Sequence, residues 1–386
     1  MRGAIQHRKG RASPWRARYR APDGGEISRS FIRKIDAERW LQDELSKLNR
    51  GLWIDPSAGQ VTFAEWVETW LPGLDVKPKT RAGYESLLRS RIPPVFGAVE
   101  LRRIAPADVR EWVAAMAEEG LSASRIRQAR QLLGAALGTA VTDGILGRNP
   151  AAGVKVPTDR PRQQRFLDAH QVADLAQSAE RREPGAGLVI DVLAWVGLRW
   201  GELAALRVSN VDPLRRRITV SEAATEIGGE LVFGTPKSHR TRIVVMPSWL
   251  SETIGERLSG LGAGDFVCTA TRGGPLRASN FRRNVWVPAV AAAGIDPGLR
   301  MHDLRHTAAS LMISSGASIK AVQRQLGHAS AAMTLDLYGH LYDDDLEALA
   351  DALDERYAAA RAAHTRPKSG GEVVLLRQES AETVDA

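Results

Sequence analysis

The sequence is poor in features that would point to several common classes of protein. Its 386 residues include one cysteine, Cys268, which excludes an intramolecular disulfide and any cysteine-rich metal site. In "DFVCTA" it reads as a small buried apolar residue. No apolar run approaches the roughly 18 to 20 residues of a membrane span, and the Arg-rich N-terminus lacks the apolar core of a signal peptide. A cytoplasmic, non-membrane protein is therefore expected. There is no evident internal repeat and no Walker-type nucleotide loop.

What is present suits a soluble chain with real cores. Hydrophobic residues make up 44% and charged residues 25%, an ordinary balance, and the length allows two or three domains. The formal net charge is +8, which makes a polyanionic partner plausible. Most of the excess sits at one end: residues 1–60 hold thirteen Lys/Arg against seven Asp/Glu.

The pattern changes along the chain. From Trp15, "WRARYRAPDGGEISRSF" alternates basic and apolar residues around Pro22-Asp23-Gly24-Gly25, which reads as strand, turn, strand. "DAERWLQDELSKLNRG" has helical spacing and stops at Gly51. Residues 62–152 are helical in pattern, with candidates at 62–71, 79–90, 106–119 and 122–143 separated by Pro and Gly signals. Trp66, Trp70, Trp112 and Trp195 sit among aliphatics at helical spacing and are expected in cores. "GVKVPTDRPRQQR" lacks periodicity and reads as a basic extended linker. Beyond it come helices near 169–178 and 186–196, a strand-rich centre over 216–247, further helices, and a frayed tail from about 362.

Four islands in this last block carry chemistry: "GLRWGEL" (197–203), "GTPKSHRTR" (234–242), "HDLRH" (302–306) and "LGHASAAMTLDLYGH" (326–340). In this order they resemble the tyrosine recombinase family, the phage integrases and their chromosomal relatives, and the resemblance runs over the chain to about residue 350. The family pattern is an Arg before Gly-Glu, a Lys on a β-hairpin, a His-x-x-Arg, a Leu-Gly-His and a late nucleophilic Tyr. It implies that Arg199 and Arg305 hold the scissile phosphate, that Lys237 is the hairpin lysine, and that His302 and His328 flank the site. Glu202 is then the steadying acid and Tyr338 the nucleophile. Val196 departs from the Thr that the family often has there. Arg240 or His239 could replace Lys237, which also suits an exposed hairpin tip. His306 is expected to pack, His340 to face solvent, and Tyr342, four residues after Tyr338 on one helix face, to pack or end the helix.

The chemistry agrees with these residue types. Cleaving a phosphodiester builds negative charge on the non-bridging oxygens, which planar guanidinium forks grip bidentately. Two arginines can therefore do the work of a divalent metal, and with no carboxylate cluster near the islands neither a metal nor another cofactor is expected. A free Tyr, with a pKa near 10, is only about 0.1% phenolate at neutral pH, and nearby cations are expected to lower that pKa. The leaving 5′ oxygen needs a proton, which Lys237 could supply. His302 or His328 could take the Tyr proton or bond the phosphate.

The resemblance also implies an architecture: multidomain and mainly α, with an arm-type DNA-binding domain of β-sheet plus helix (1–58), a helical core-binding domain (59–153), a basic linker (154–165), an α+β catalytic domain with a small antiparallel sheet (166–361) and a tail (362–386). Arg16, Arg18 and Arg20 alternate on one strand and would face one side of the sheet, as a groove reader needs. Lys77, Lys79, Arg81, Arg89 and Arg91 are candidate phosphate contacts, chosen as a cluster at a helix start. The implied partners are double-stranded DNA attachment sites, three further copies in a homotetramer, and accessory DNA-bending proteins, with the enzyme working at the nucleoid. The implied activity is site-specific recombination through a 3′-phosphotyrosine. A tyrosine-type topoisomerase, a chromosome dimer resolvase and a non-catalytic DNA-binding descendant are the rivals.

Overall fold

The computed structural model describes residues 3–51, 53–55, 57–158, 165–236, 241–341 and 345–365. No helix among them is long and apolar enough to cross a membrane. By contacts the chain divides into one unit of Met1–Gln163 with Thr225–Val232, and a second of Gln164–Ala224 with Phe233–Ala386.

The first unit opens with a three-stranded antiparallel sheet, β1 (Ala4–His7), β2 (Trp15–Arg20) and β3 (Glu26–Phe31), with β2 central. Gly24, at φ +88°, takes the left-handed position in the turn before β3. Period-two alternation sorts β2 into two faces. Ala17 and Tyr19 are buried with Ala37, Leu41 and Leu48 of helix α1 (Lys34–Asn49), and the Tyr19 hydroxyl accepts from Trp53 Nε1 at 2.8 Å and meets Glu44 at 3.2 Å. Arg16, Arg18 and Arg20 take the other face. β1 was not anticipated as a separate strand, because four residues with one apolar member, Ile5, carry too little alternation to register.

Helices α2 (Phe63–Trp70), α3 (Pro78–Ser90), α4 (Pro93–Phe96), α5 (Pro106–Glu118) and α6 (Ala123–Thr142) follow. Their starts are locally encoded. Thr62 and Glu65 form a reciprocal capping box, and Pro78, Pro93 and Pro106 sit in first turns where a missing N–H is harmless. Trp66, Trp70 and Trp112 are core as expected, and each indole N–H finds an acceptor: Ala136 O, Thr139 Oγ1 and Arg91 O.

The second unit begins with α7 (Ala169–Arg182), capped by Asp168 and Gln171, and α8 (Ala186–Asp191), which runs into a π-helical turn at Val192–Val196. Short α9 (Trp200–Ala204) precedes β4 (Val211–Asp212), β5 (Arg217–Val220) and β8 (Arg242–Val245); between β5 and β8 in the chain comes the hairpin β6 (Ala223–Ile227) and β7 (Glu230–Gly234), of which Thr225–Val232 counts with the first unit. β4, β5 and β8 form an antiparallel sheet in that order, with Ile218 opposite Val244. The rest is helical: α10 (Ser248–Leu258), α11 (Ala278–Phe281), α12 (Val287–Ala292), α13 (Asp303–Ser314), α14 (Ile319–Leu326), α15 (Ala331–Tyr338) and α16 (Asp345–Thr365). The mainly α fold with small antiparallel sheets is as expected.

Candidate functional site

All four islands meet around Arg305 and Glu202, the second through Arg242. Arg199 ends the loop after Gly197 and stands at the N-cap of α9, where its backbone N–H and its Nη1 both donate to the Glu202 carboxylate at 2.9 Å. Arg305 lies on the first turn of α13 and is 4% exposed. Its guanidinium donates to the carbonyls of Gly197 and Leu326, so it ties the first island to the last. Two of its five N–H donors are spent there, and the rest remain for an anion. Burial first, and then the nearby positive Arg199, press its pKa down to about 9, which still leaves it charged at neutral pH.

Glu202 is 3% exposed and sits between two guanidiniums. Arg242, the first residue of β8, bonds it bidentately, Nη1 to Oε1 at 2.9 Å and Nη2 to Oε2 at 2.7 Å, and turns its Nε toward Gln325 O. Burial alone would raise the Glu202 pKa; the bonds from Arg242 and Arg199 outweigh it and bring it to about 2. Arg242 is therefore a tether, with three of its five N–H donors bonded to protein, whereas Arg199 has one side-chain donor so bonded. Gln325 adds a second tether, donating to Val196 O and Val245 O and accepting from Val245 N.

The histidines lie on the same side. His302 is the N-cap of α13; partial loss of water around its ring, then the charge of His306 and Arg305, lowers its pKa. Gly327 ends α14 in the left-handed conformation at φ +67°, the expected C-cap, and delivers His328. His328 Nδ1 is 3.0 Å from Thr334 Oγ1, and desolvation, then Arg305 and Arg199, takes its pKa to about 4.

Tyr338 ends α15 and is 1% exposed, packed with Ala309, Ile313, Val322 and Leu326. Its ring lies parallel to that of His328, with centroids 6.4 Å apart. The cations were expected to lower its pKa. Burial instead pushes it up to about 12, with Arg305 opposing, because the phenol sits in an apolar cluster and the charged form loses its water. His306 is not simply packed either, since its Nδ1 is 2.8 Å from the Tyr338 hydroxyl.

Two roles were missed in the sequence, and both had a signal. Arg242 shares the inward parity of Val244 and Met246, both buried, and a charge on the inward face of a strand needs a partner. His306 is one turn beyond His302 on the face that Tyr338 meets. Lys237, with the alternatives His239 and Arg240, and Tyr342 fall outside the described residues, as does the side chain of His340.

Among the DNA-contact candidates, Lys79 and Arg89 are exposed. Arg81 is turned inward, donating to Leu71 O at 3.0 Å and Leu74 O at 2.6 Å, where it satisfies carbonyls at the end of α2. Arg91 pairs with Glu119 at 2.5 Å. On β2, Arg16 bonds Ser28 Oγ and Arg18 pairs loosely with Glu26 at 3.4 Å.

An arginine pair beside a tyrosine and histidines is the arrangement of a class, the DNA strand-rejoining enzymes of tyrosine type. Comparisons with known proteins make it specific. The model of the phage integrase family matches residues 165–345, and that of the N-terminal SAM-like domain of phage integrases matches 62–117. The chain is 32% identical over 339 residues to the prophage phiRv2 integrase of Mycobacterium tuberculosis, covering 83% of this chain and 87% of the relative. In fold it is similar to the Tn1549 transposon integrase solved with a circular intermediate DNA (TM-score 0.65, 22% identity, 74% of this chain and 98% of that one). It is also similar to a lambda integrase tetramer bound to a Holliday junction (TM-score 0.57, 21% identity, 83% and 91%). This chain belongs to the phage integrase family of tyrosine recombinases, and its activity is site-specific DNA recombination.

Proposed function

We propose that Tyr338 is the nucleophile that attacks a DNA phosphodiester and forms a 3′-phosphotyrosine, with Arg199 and Arg305 holding the non-bridging oxygens. The observation that carries this reading is the tie between islands more than a hundred residues apart: Arg305 is bonded to Gly197, two residues before Arg199, and Tyr338 lies within its electrostatic reach. The spare N–H donors of both arginines are what a phosphate would take, and they stabilise the charge that grows in the transition state. Lys237 protonates the leaving 5′ oxygen, while His302 and His328 flank the phosphate. Glu202 orients Arg199. The covalent bond conserves the energy of the broken one, so rejoining needs no nucleotide.

The substrates are double-stranded attachment sites of a mobile element, integrated and excised by four copies that exchange strands through a Holliday junction, the assembly in which lambda integrase has been solved. Arg16, Arg18 and Arg20 read an arm-type site, and Lys77, Lys79 and Arg89 contact phosphates near the cleavage site. Accessory DNA-bending proteins assist at the nucleoid. The domain limits, 1–58, 59–153, the 154–165 linker, 166–361 and the 362–386 tail, follow this division of labour. A nicked suicide duplex carrying the attachment site tests the reading. A covalent protein–DNA band on a denaturing gel that vanishes in Tyr338→Phe and survives in Tyr342→Phe supports it; the reverse pattern sinks it.

A further inference from the structure

His306 stands outside the five-part family pattern, yet it is the residue that touches the nucleophile. Its Nδ1 is 2.8 Å from the Tyr338 hydroxyl, a normal hydrogen-bond distance. The other two histidines of the cluster are placed differently. His328 turns its Nδ1 to Thr334 Oγ1 and lies ring-parallel to Tyr338 at 6.4 Å. His302 meets the edge of His306, with centroids 5.5 Å apart.

We propose that His306 is the general base of this recombinase: its Nδ1 takes the Tyr338 proton during cleavage and returns it during rejoining. The inference rests on Tyr338 being the nucleophile. In the forward step the phenol oxygen forms a bond to phosphorus, the phenol proton passes to Nδ1, and the bond from phosphorus to the 5′ oxygen breaks as Lys237 protonates that oxygen. In the reverse step the 5′ hydroxyl attacks, its proton returns to Lys237, and imidazolium Nδ1–H protonates the departing phenolate.

Protonation states fit this direction. Burial holds the His306 pKa below its ordinary value, opposed by Asp303 and aided by Arg300 and Arg305, so the ring is neutral at pH 7 with a lone pair to offer. Burial keeps Tyr338 protonated. A phenol this reluctant to ionise needs an acceptor at contact distance, and a base in place typically contributes about 10²- to 10⁴-fold to the rate. The groups that face His306 are Arg300, His302, Asp303 and Arg305 from α13 and its lead-in, His328 from the turn after α14, and Tyr338 from α15.

The test is single-turnover formation of the covalent adduct on the nicked duplex, across pH, for the unsubstituted protein, His306→Gln and His306→Ala. Gln can still accept a hydrogen bond from the phenol but cannot carry its proton. The expected result is a loss of about 100-fold or more in rate for both variants at unchanged DNA affinity. The acid-side fall in rate of the unsubstituted protein should disappear in the Gln variant. A duplex with a 5′-bridging sulfur, which leaves without a proton, should not restore the variants. A Gln variant within about threefold of the parent with the same acid limb, or full rescue by the sulfur duplex, overturns the inference and leaves the assignment of Tyr338 standing. If the variants do not fold, the parent alone decides on the sulfur duplex, where a rate that does not fall with acid overturns it. Absence of any Tyr338-dependent adduct overturns the reading beneath it as well.

Discussion

At the scale of single residues, the site is organised by one carboxylate. Glu202 neutralises two arginines held to different degrees, Arg199 with one side-chain donor bonded to protein and Arg242 with three, and so fixes one guanidinium without sequestering it. Glu202→Gln keeps the shape and leaves Arg242, whose side chain is 11% exposed, with a buried charge that nothing balances. A loss of about 3 to 5 kcal/mol is expected in urea unfolding at pH 7. Because the folded pKa of Glu202 is depressed from 4.5 to about 2, its contribution is whole above pH 4.5 and lost as pH falls toward 2. The difference between parent and variant should therefore shrink between pH 5 and pH 2.5; a pH-independent gap would show that the pairing with arginine is not its source. The candidates Arg199, Arg305, Glu202, His302 and His328 could be picked out of the sequence because their spacing is a signature, and the structure brings them together. Arg242 and His306 were not, because each acquires its role from a partner far along the chain.

At the scale of elements, the turn from the π-helical segment into α9 is a tightly packed anchor of the site. Gly197 sits at φ +76°, and a Cβ there would lie 2.7 Å from Leu326 Cδ2 and 3.1 Å from Ala308 Cβ. Its carbonyl also anchors Arg305. Gly197→Ala should lose more than about 2 kcal/mol, combining left-handed strain with the clash, and should slow cleavage more than it weakens DNA binding; unchanged unfolding would refute the close approach. In the helical segment, Trp66→Ala removes a buried indole and its bond to Ala136 O, with an expected cost of about 3 to 5 kcal/mol by denaturant titration. A cost below about 1 kcal/mol would contradict its core position. Helices α2, α3, α5, α6 and α7 were visible from caps, prolines and period 3.6, since those signals are local, whereas the four residues of α4 are too few to show a period. The burial of Tyr338 was not, because it is set by the packing of α13, α14 and α15 against one another. The amphipathic pattern of "MTLDLYGH" speaks only of one helix.

At the scale of the whole molecule, the charge distribution sets how the enzyme meets DNA. The surplus of positive charge in the first sixty residues sits partly on the outer face of β2, where Arg18 and Arg20 are exposed. If both reach phosphates, the double substitution Arg18→Ala, Arg20→Ala lowers the slope of log affinity against log salt by about 2 on arm-site DNA, with little change on cleavage-site DNA; equal slopes on both would remove the sheet from the interface. The order of the islands was enough to give the family, because the reaction demands the same few side chains around one phosphorus atom wherever they fall in the chain. The central claim is that Tyr338 becomes that atom's covalent partner. Proteolysis of the trapped adduct followed by mass spectrometry of the nucleotide-bearing peptide tests it directly: a 3′-phosphonucleotide on Tyr338 is the predicted result, and the same mass on Tyr342 or any other residue would contradict it.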